Sequence, residues 1–138
     1  MTEKRNHEHE NQINEKIAKE LTPQGDLLPP WQKYPDIPSR STGWRKGEGK
    51  SYMVVWDGWA EKMTLAERIE YFKRYLPIPP AWLGWVAMKC GQDSVIDDML
   101  SGNTNFVGVH WLEQHGLANF SEFKTWYENN WDKSTGTS

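Results

Sequence analysis

A chain of 138 residues, 37% hydrophobic and 25% charged, is long enough for one domain with a buried core, and it has no window approaching eighteen consecutive apolar residues, which excludes a membrane span. Its net charge of -3 leaves too little basic surplus for bulk nucleic-acid binding. A single cysteine, Cys90, excludes an intramolecular disulfide and any Cys-rich zinc module. The polar amino terminus, MTEKRNHEHENQ, lacks an apolar signal core, so a cytosolic protein is expected.

Residues 1–8 carry charges of both signs with nothing apolar after Met1 and are expected to form a disordered tail. Residues 9–38 read as a short helix followed by a proline-rich arm packed on the domain. Ile13, Ile17 and Leu21 recur every four residues, and Glu15 and Lys19 stand one turn apart. Five prolines between Pro23 and Pro38 then call for extended backbone. Leu27, Leu28, Trp31, Tyr34 and Ile37 supply an apolar side by which the arm can wrap the domain.

Residues 39–133 read as the helical domain. Tyr52, Val55, Trp56, Trp59 and Met63 fall on one helical face, with Gly58 the one residue of poor propensity. Thr64-Leu65-Ala66-Glu67 is a capping box and opens a helix whose buried stripe is expected to be Leu65, Ile69, Phe72 and Leu76. Pro77, Pro79 and Pro80 end that helix, and the next runs from Pro80 to Cys90 and stops at Gly91. Trp82, Leu83, Trp85 and Val86 cover more than half of its circumference, the mark of a central helix.

A short helix capped by Asp93 or Ser94 is expected to bury Val95, Ile96, Met99 and Leu100 and to end at Gly102. The apolar run Phe106 to Leu112 suits a strand or a helix. Thr104 as a cap, Gly116 as a stop and the lack of a partner strand favour helix over 104–115. A last helix over Ser121 to Asp132 turns Phe123, Trp126, Tyr127 and Trp131 inward, and residues 134–138 form a frayed tail. The expected fold is all-α: a compact single domain of five or six short helices with an extended, proline-rich amino-terminal arm.

Eight of the nine tryptophans divide by local pattern. Trp56, Trp59, Trp82, Trp85 and Trp126 lie on well-formed apolar faces and are expected in the core, whereas Trp31, Trp44 and Trp131 lie in proline-rich, glycine-rich or terminal segments and are candidates for contact. The segment Gly43 to Ser51 sets three glycines, Trp44, Arg45, Lys46, Glu48 and Lys50 just before a helix. Its Gly-Lys-Ser ending fails as a phosphate-binding loop, because the first glycine stands one residue too far away and no apolar strand precedes it. A glycine-rich turn with three cations can still receive an anion or an acidic protein loop, or be only a tight turn with Trp44 beneath it.

His110 and Glu113 have the spacing of two metal ligands, but no third ligand accompanies them at a suitable distance along the chain. Cys90 has no neighbouring histidine and reads as a buried structural thiol. Asp97 and Asp98 diverge on a helix and cannot flank a scissile bond. No cofactor or metal is implied.

Charge is polarised along the chain, +3 over residues 31–50 and -5 over residues 91–138. A small cytosolic, non-enzymatic protein is therefore expected, one that binds another protein as an inhibitor, immunity factor or accessory subunit does, through Trp31, Trp44, Arg45, Lys46, Glu48, Lys50 and Trp131. The alternative is an anionic-ligand or enzyme site at the Gly43–Ser51 turn, with Glu48 or His110 moving a proton. The oligomeric state is left open.

Overall fold

A computed structural model describes residues 2–39, 41–92, 95–102 and 104–130, without the side chains of residues 2–10 and of Ile96. Asp93, Ser94, Trp131 and the tail 134–138 lie outside the described residues. Within them the chain is helical, with eight α-helices, two turns of 3-10 helix and no strand. The helix count exceeds the expected five or six. Contacts divide the chain into two compact units, Met1–Thr64 and Leu65–Ser138, a boundary that falls inside the 39–133 segment.

In the Met1–Thr64 unit, α1 (Thr2–Glu20) begins upstream of its isoleucine stripe and takes in residues that composition assigns to a tail. The segment after it is not extended throughout. A turn at Thr22–Asp26 is closed by the Thr22 amide on the Asp26 carbonyl at 2.7 Å, and α2 (Pro30–Lys33) starts on a proline, whose missing N–H is no loss in a first helical turn. Leu27 is wholly buried, and the Tyr52 hydroxyl donates to the Leu28 carbonyl at 2.6 Å. That bond ties the segment to α3 (Gly47–Ala60), whose buried residues Tyr52, Val55 and Trp56 match the expected face.

Helices α1 and α3 run antiparallel. Ile13 meets Gly58, where a Cβ would stand 2.9 Å from the Ile13 Cγ2, and Lys62 just past α3 donates to Asn14 at 3.2 Å. Gly58 is thus poor in propensity but lets the two helices approach.

In the Leu65–Ser138 unit, α4 (Leu65–Arg74) begins right after Thr64, as the capping box predicts. Its buried face differs from the expected stripe. Tyr71 and Phe72 are buried, while Leu65 and Leu76 are each 45% exposed. The helix is turned so that Phe72 meets Trp85 edge-on at 6.1 Å and Arg68 donates to the Lys89 carbonyl at 2.9 Å. Arg68 thereby supplies a partner and a positive charge at the carboxyl end of α5 (Leu83–Lys89).

Helix α5, preceded by a 3-10 turn over Pro80–Trp82, is the centre of this unit. It contacts α6 (Val95–Ser101) and α7 (Val107–Gln114) and buries Leu83, Gly84, Val86 and Ala87. Residues 107–114 are helical, and Gly91, Gly102 and Gly116 follow their helices at positive φ, as their places in the sequence suggest. Helix α7 starts later than a Thr104 cap would allow. Its N-cap is Phe106, in the left-handed region at φ 45°, with a ring that is 1% exposed and lies 4.9 Å from Phe123 and 5.1 Å from Tyr127 of α8 (Phe120–Asn130). Aromatic burial holds a backbone angle that L-residues rarely adopt.

Candidate functional site

The turn before α3 is built by short-range bonds. Ser41 accepts from the Gly43 amide at 3.0 Å and caps the 3-10 turn Thr42–Trp44. The Trp44 indole donates to the Pro38 carbonyl at 2.9 Å and stands edge-on to Tyr34, with ring centroids 6.2 Å apart. Gly49 lies so close to Gly43 that a Cβ on Gly49 would fall on the Gly43 carbonyl oxygen, so Gly49 serves a backbone crossing, while a Cβ on Gly43 would stand 2.9 Å from the Ile37 Cγ2. Gly47, at φ 63°, opens α3.

Tyr34 continues the aromatic contact to Tyr52, edge-on at 5.8 Å, and the Lys33 ammonium lies over both rings at 5.9 and 5.6 Å. Lys33 also pairs with Glu20 of α1 at 2.7 Å. Its hydrogen bond to the Glu20 carboxylate raises the Lys33 pKa above the ordinary lysine value, against the opposing effect of burial.

An open groove of about 790 Å³ runs between α1 and α3. The α1 wall presents Ile13, Lys16, Lys19 and Glu20. The α3 wall presents Glu48, Lys50, Ser51, Val54 and Val55, and Tyr34 and Tyr52 also face the groove. Glu20 is paired with Lys33, whereas Lys16, Lys19 and Lys50 have no ion pair among the described residues. Val54 is 45% exposed and gives the trough an apolar patch.

The residues singled out from sequence separate here. Glu48 and Lys50 line the groove; Trp44, Arg45 and Lys46 do not, though Arg45 and Lys46 are exposed and connect the Trp44 turn to Gly47 at the groove. Trp44 and Trp31 are both half-buried, the first in its turn and the second on α2. Trp131 lies outside the described residues. The contribution of α1 was missed, although Lys16 and Lys19, three residues apart beside the isoleucine stripe, carry a usable signal.

The other candidates are drawn into local structure. Glu113 accepts from the Phe120 amide at 2.9 Å, at the start of α8, and His110 is exposed and stacked on the Phe120 ring at 3.9 Å. His115 bonds the Trp111 carbonyl through Nδ1 at 2.9 Å. Cys90 is 4% exposed, and burial pushes its thiol up to about 11 against a smaller opposing effect of Arg68, which suits a structural thiol and not a nucleophile. Of the tryptophans expected in the core, Trp56 and Trp82 are buried and Trp59, Trp85 and Trp126 half-buried.

Among the described residues no helix is long and apolar enough to cross a membrane. No family model, curated protein or solved structure matches this chain.

Proposed function

We propose that this chain is a non-enzymatic binding protein, of the inhibitor, immunity or accessory-subunit kind, whose Met1–Thr64 unit takes an acidic segment of a partner protein in the α1–α3 groove and beside the Trp44 turn. One observation carries this: Lys16, Lys19 and Lys50 surround a wide, partly apolar trough without an ion pair among the described residues, and only Glu48 offsets them once Glu20 is paired with Lys33. Cations around an apolar floor steer and register an acidic chain while apolar contact supplies affinity. Arg45 and Lys46, exposed next to Gly47, extend the positive surface. The alternative, an anionic-ligand or enzyme site at Gly43–Ser51, draws less from the geometry, since Gly49 is explained by its crossing of the Gly43 carbonyl and Gly43 by its close contact with Ile37.

Selection from a random peptide display library on the immobilised full chain tests the proposal. Enriched peptides are expected to be rich in Asp and Glu, and to bind at least about tenfold more weakly to a K16E/K19E/K50E variant of unchanged melting temperature. No enrichment, enrichment of neutral or basic peptides, or undiminished binding to the variant overturns it.

A further inference from the structure

Resting on that reading, we infer that the acidic segment is an amphipathic helix, seated against α1 and α3 as the third helix of a small bundle. The first support is the form of the trough. Its α1 wall is spaced at Ile13, Lys16 and Glu20, and its α3 wall at Gly47, Ser51 and Val54, so both walls are helix faces read at three- and four-residue steps. Residues 12 to 20 and 47 to 55 each span about 12 Å, or two helical turns, and the two walls are antiparallel neighbours.

The second support is backbone chemistry. Both walls are α-helices, whose main-chain groups are spent within the helix apart from the last turn of α1 and the first of α3 at one end, so the long sides of the trough offer no strand edge to an extended peptide. An extended segment lying there would lose water from its own amides without a ladder partner. A helix brings its backbone bonds with it and needs only side-chain contact, the helix-in-groove mode of recognition.

The third is the placement of charge. Ile13, Val54 and Val55 form the apolar strip, while Lys16 and Lys19 lie along one wall and Lys50 along the other. The complementary helix has leucine-like residues at i, i+3 and i+7 and carboxylates on both flanks of that stripe. The same lysines would oppose a helix with basic flanks.

Two peptides of matched length and charge, about three helical turns' worth of residues each, provide the test on isotope-labelled full-length protein. Both carry a leucine stripe flanked by glutamates; one is hydrocarbon-stapled as a helix and the other is held extended by two central prolines. The stapled peptide is expected to bind at least about tenfold tighter, to shift the amide signals of Ile13, Lys16, Val54 and Val55, and to be lost on Val54→Glu with the melting temperature unchanged. If the extended peptide binds as tightly and moves the same signals, the helix inference falls while acidic-segment binding stands. If neither peptide moves them, both fall.

Discussion

Rings meet edge-on in both units, but those of the Leu65–Ser138 unit gather around the buried Phe106 and Phe72, whereas Tyr34, Trp44 and Tyr52 of the Met1–Thr64 unit are joined in addition to backbone carbonyls and to Lys33. Phe106 lies among Phe123, Tyr127 and Phe120, and Phe72, Trp85 and Trp82 form a second series of edge-on contacts. Trp44 and Tyr52 meet Tyr34 edge-on and also donate to Pro38 and Leu28, and Lys33 sits over Tyr34 and Tyr52. The same residue types build a core where helices are apolar over most of their surface and a partly exposed, polar-tipped surface where prolines and glycines interrupt the chain. The candidate site is in the second setting.

The largest effect that would sharpen this contrast is at Phe106. Phe106→Ala empties the aromatic cluster and leaves a strained left-handed residue in place, so chemical denaturation is expected to show a loss of about 3–5 kcal/mol. A loss below about 1 kcal/mol would mean that the cluster is not a packed core.

Next comes the Met1–Thr64 unit, where close approach of backbone, not ring packing, is the sensitive feature. Gly49→Ala sets a methyl on the Gly43 carbonyl, which cannot swing aside, and is expected to cost about 2–3 kcal/mol. Gly58→Ala meets the Ile13 Cγ2, a side-chain atom and not backbone, and gains up to about 1 kcal/mol in helix propensity, so it is expected to cost clearly less than Gly49→Ala in the same assay. Equal effects at the two glycines would break the assignment of Gly49 to a rigid crossing.

An effect smaller than those at Phe106 and Gly49, and confined to high pH, is the alkaline response of Cys90. Its folded pKa, about 11, lies above the ordinary value of 9.0, so the stability tied to the protonated thiol is complete below pH 9 and is lost as pH rises through 11. The loss is roughly 2 kcal/mol across that window. Melting curves at pH 8, 9, 10 and 11 should fall less steeply for Cys90→Ala. The native thiol should also resist alkylation near pH 8 until the protein unfolds.

Much of the Leu65–Ser138 unit was legible in the sequence because its signals are local. The capping box at Thr64, the prolines around position 78 and the glycines at 91, 102 and 116 each act on the turn that contains them. The α4 stripe was misplaced because period alone assigns Leu65 and Leu76 to the buried side, while the exposed turn of the helix is chosen by Phe72 against Trp85 and Arg68 against Lys89. At the candidate site, Glu48 and Lys50 were found from their glycine-rich context. Lys16 and Lys19 were not, since they reach the groove only because α1, some thirty residues earlier, lies antiparallel to α3.

The sequence by itself determined an all-α chain, most helix boundaries, the central helix at Leu83–Lys89 and an unusual turn around Trp44, because capping, proline geometry and hydrophobic period act within a few residues. The tertiary structure alone decided that Gly43, Gly49 and Gly58 serve close approach, that Phe106 takes a left-handed conformation, and that the lysines of two distant helices share one trough. Those outcomes depend on which surfaces meet, and contacts between residues far apart in the chain leave no local pattern to read.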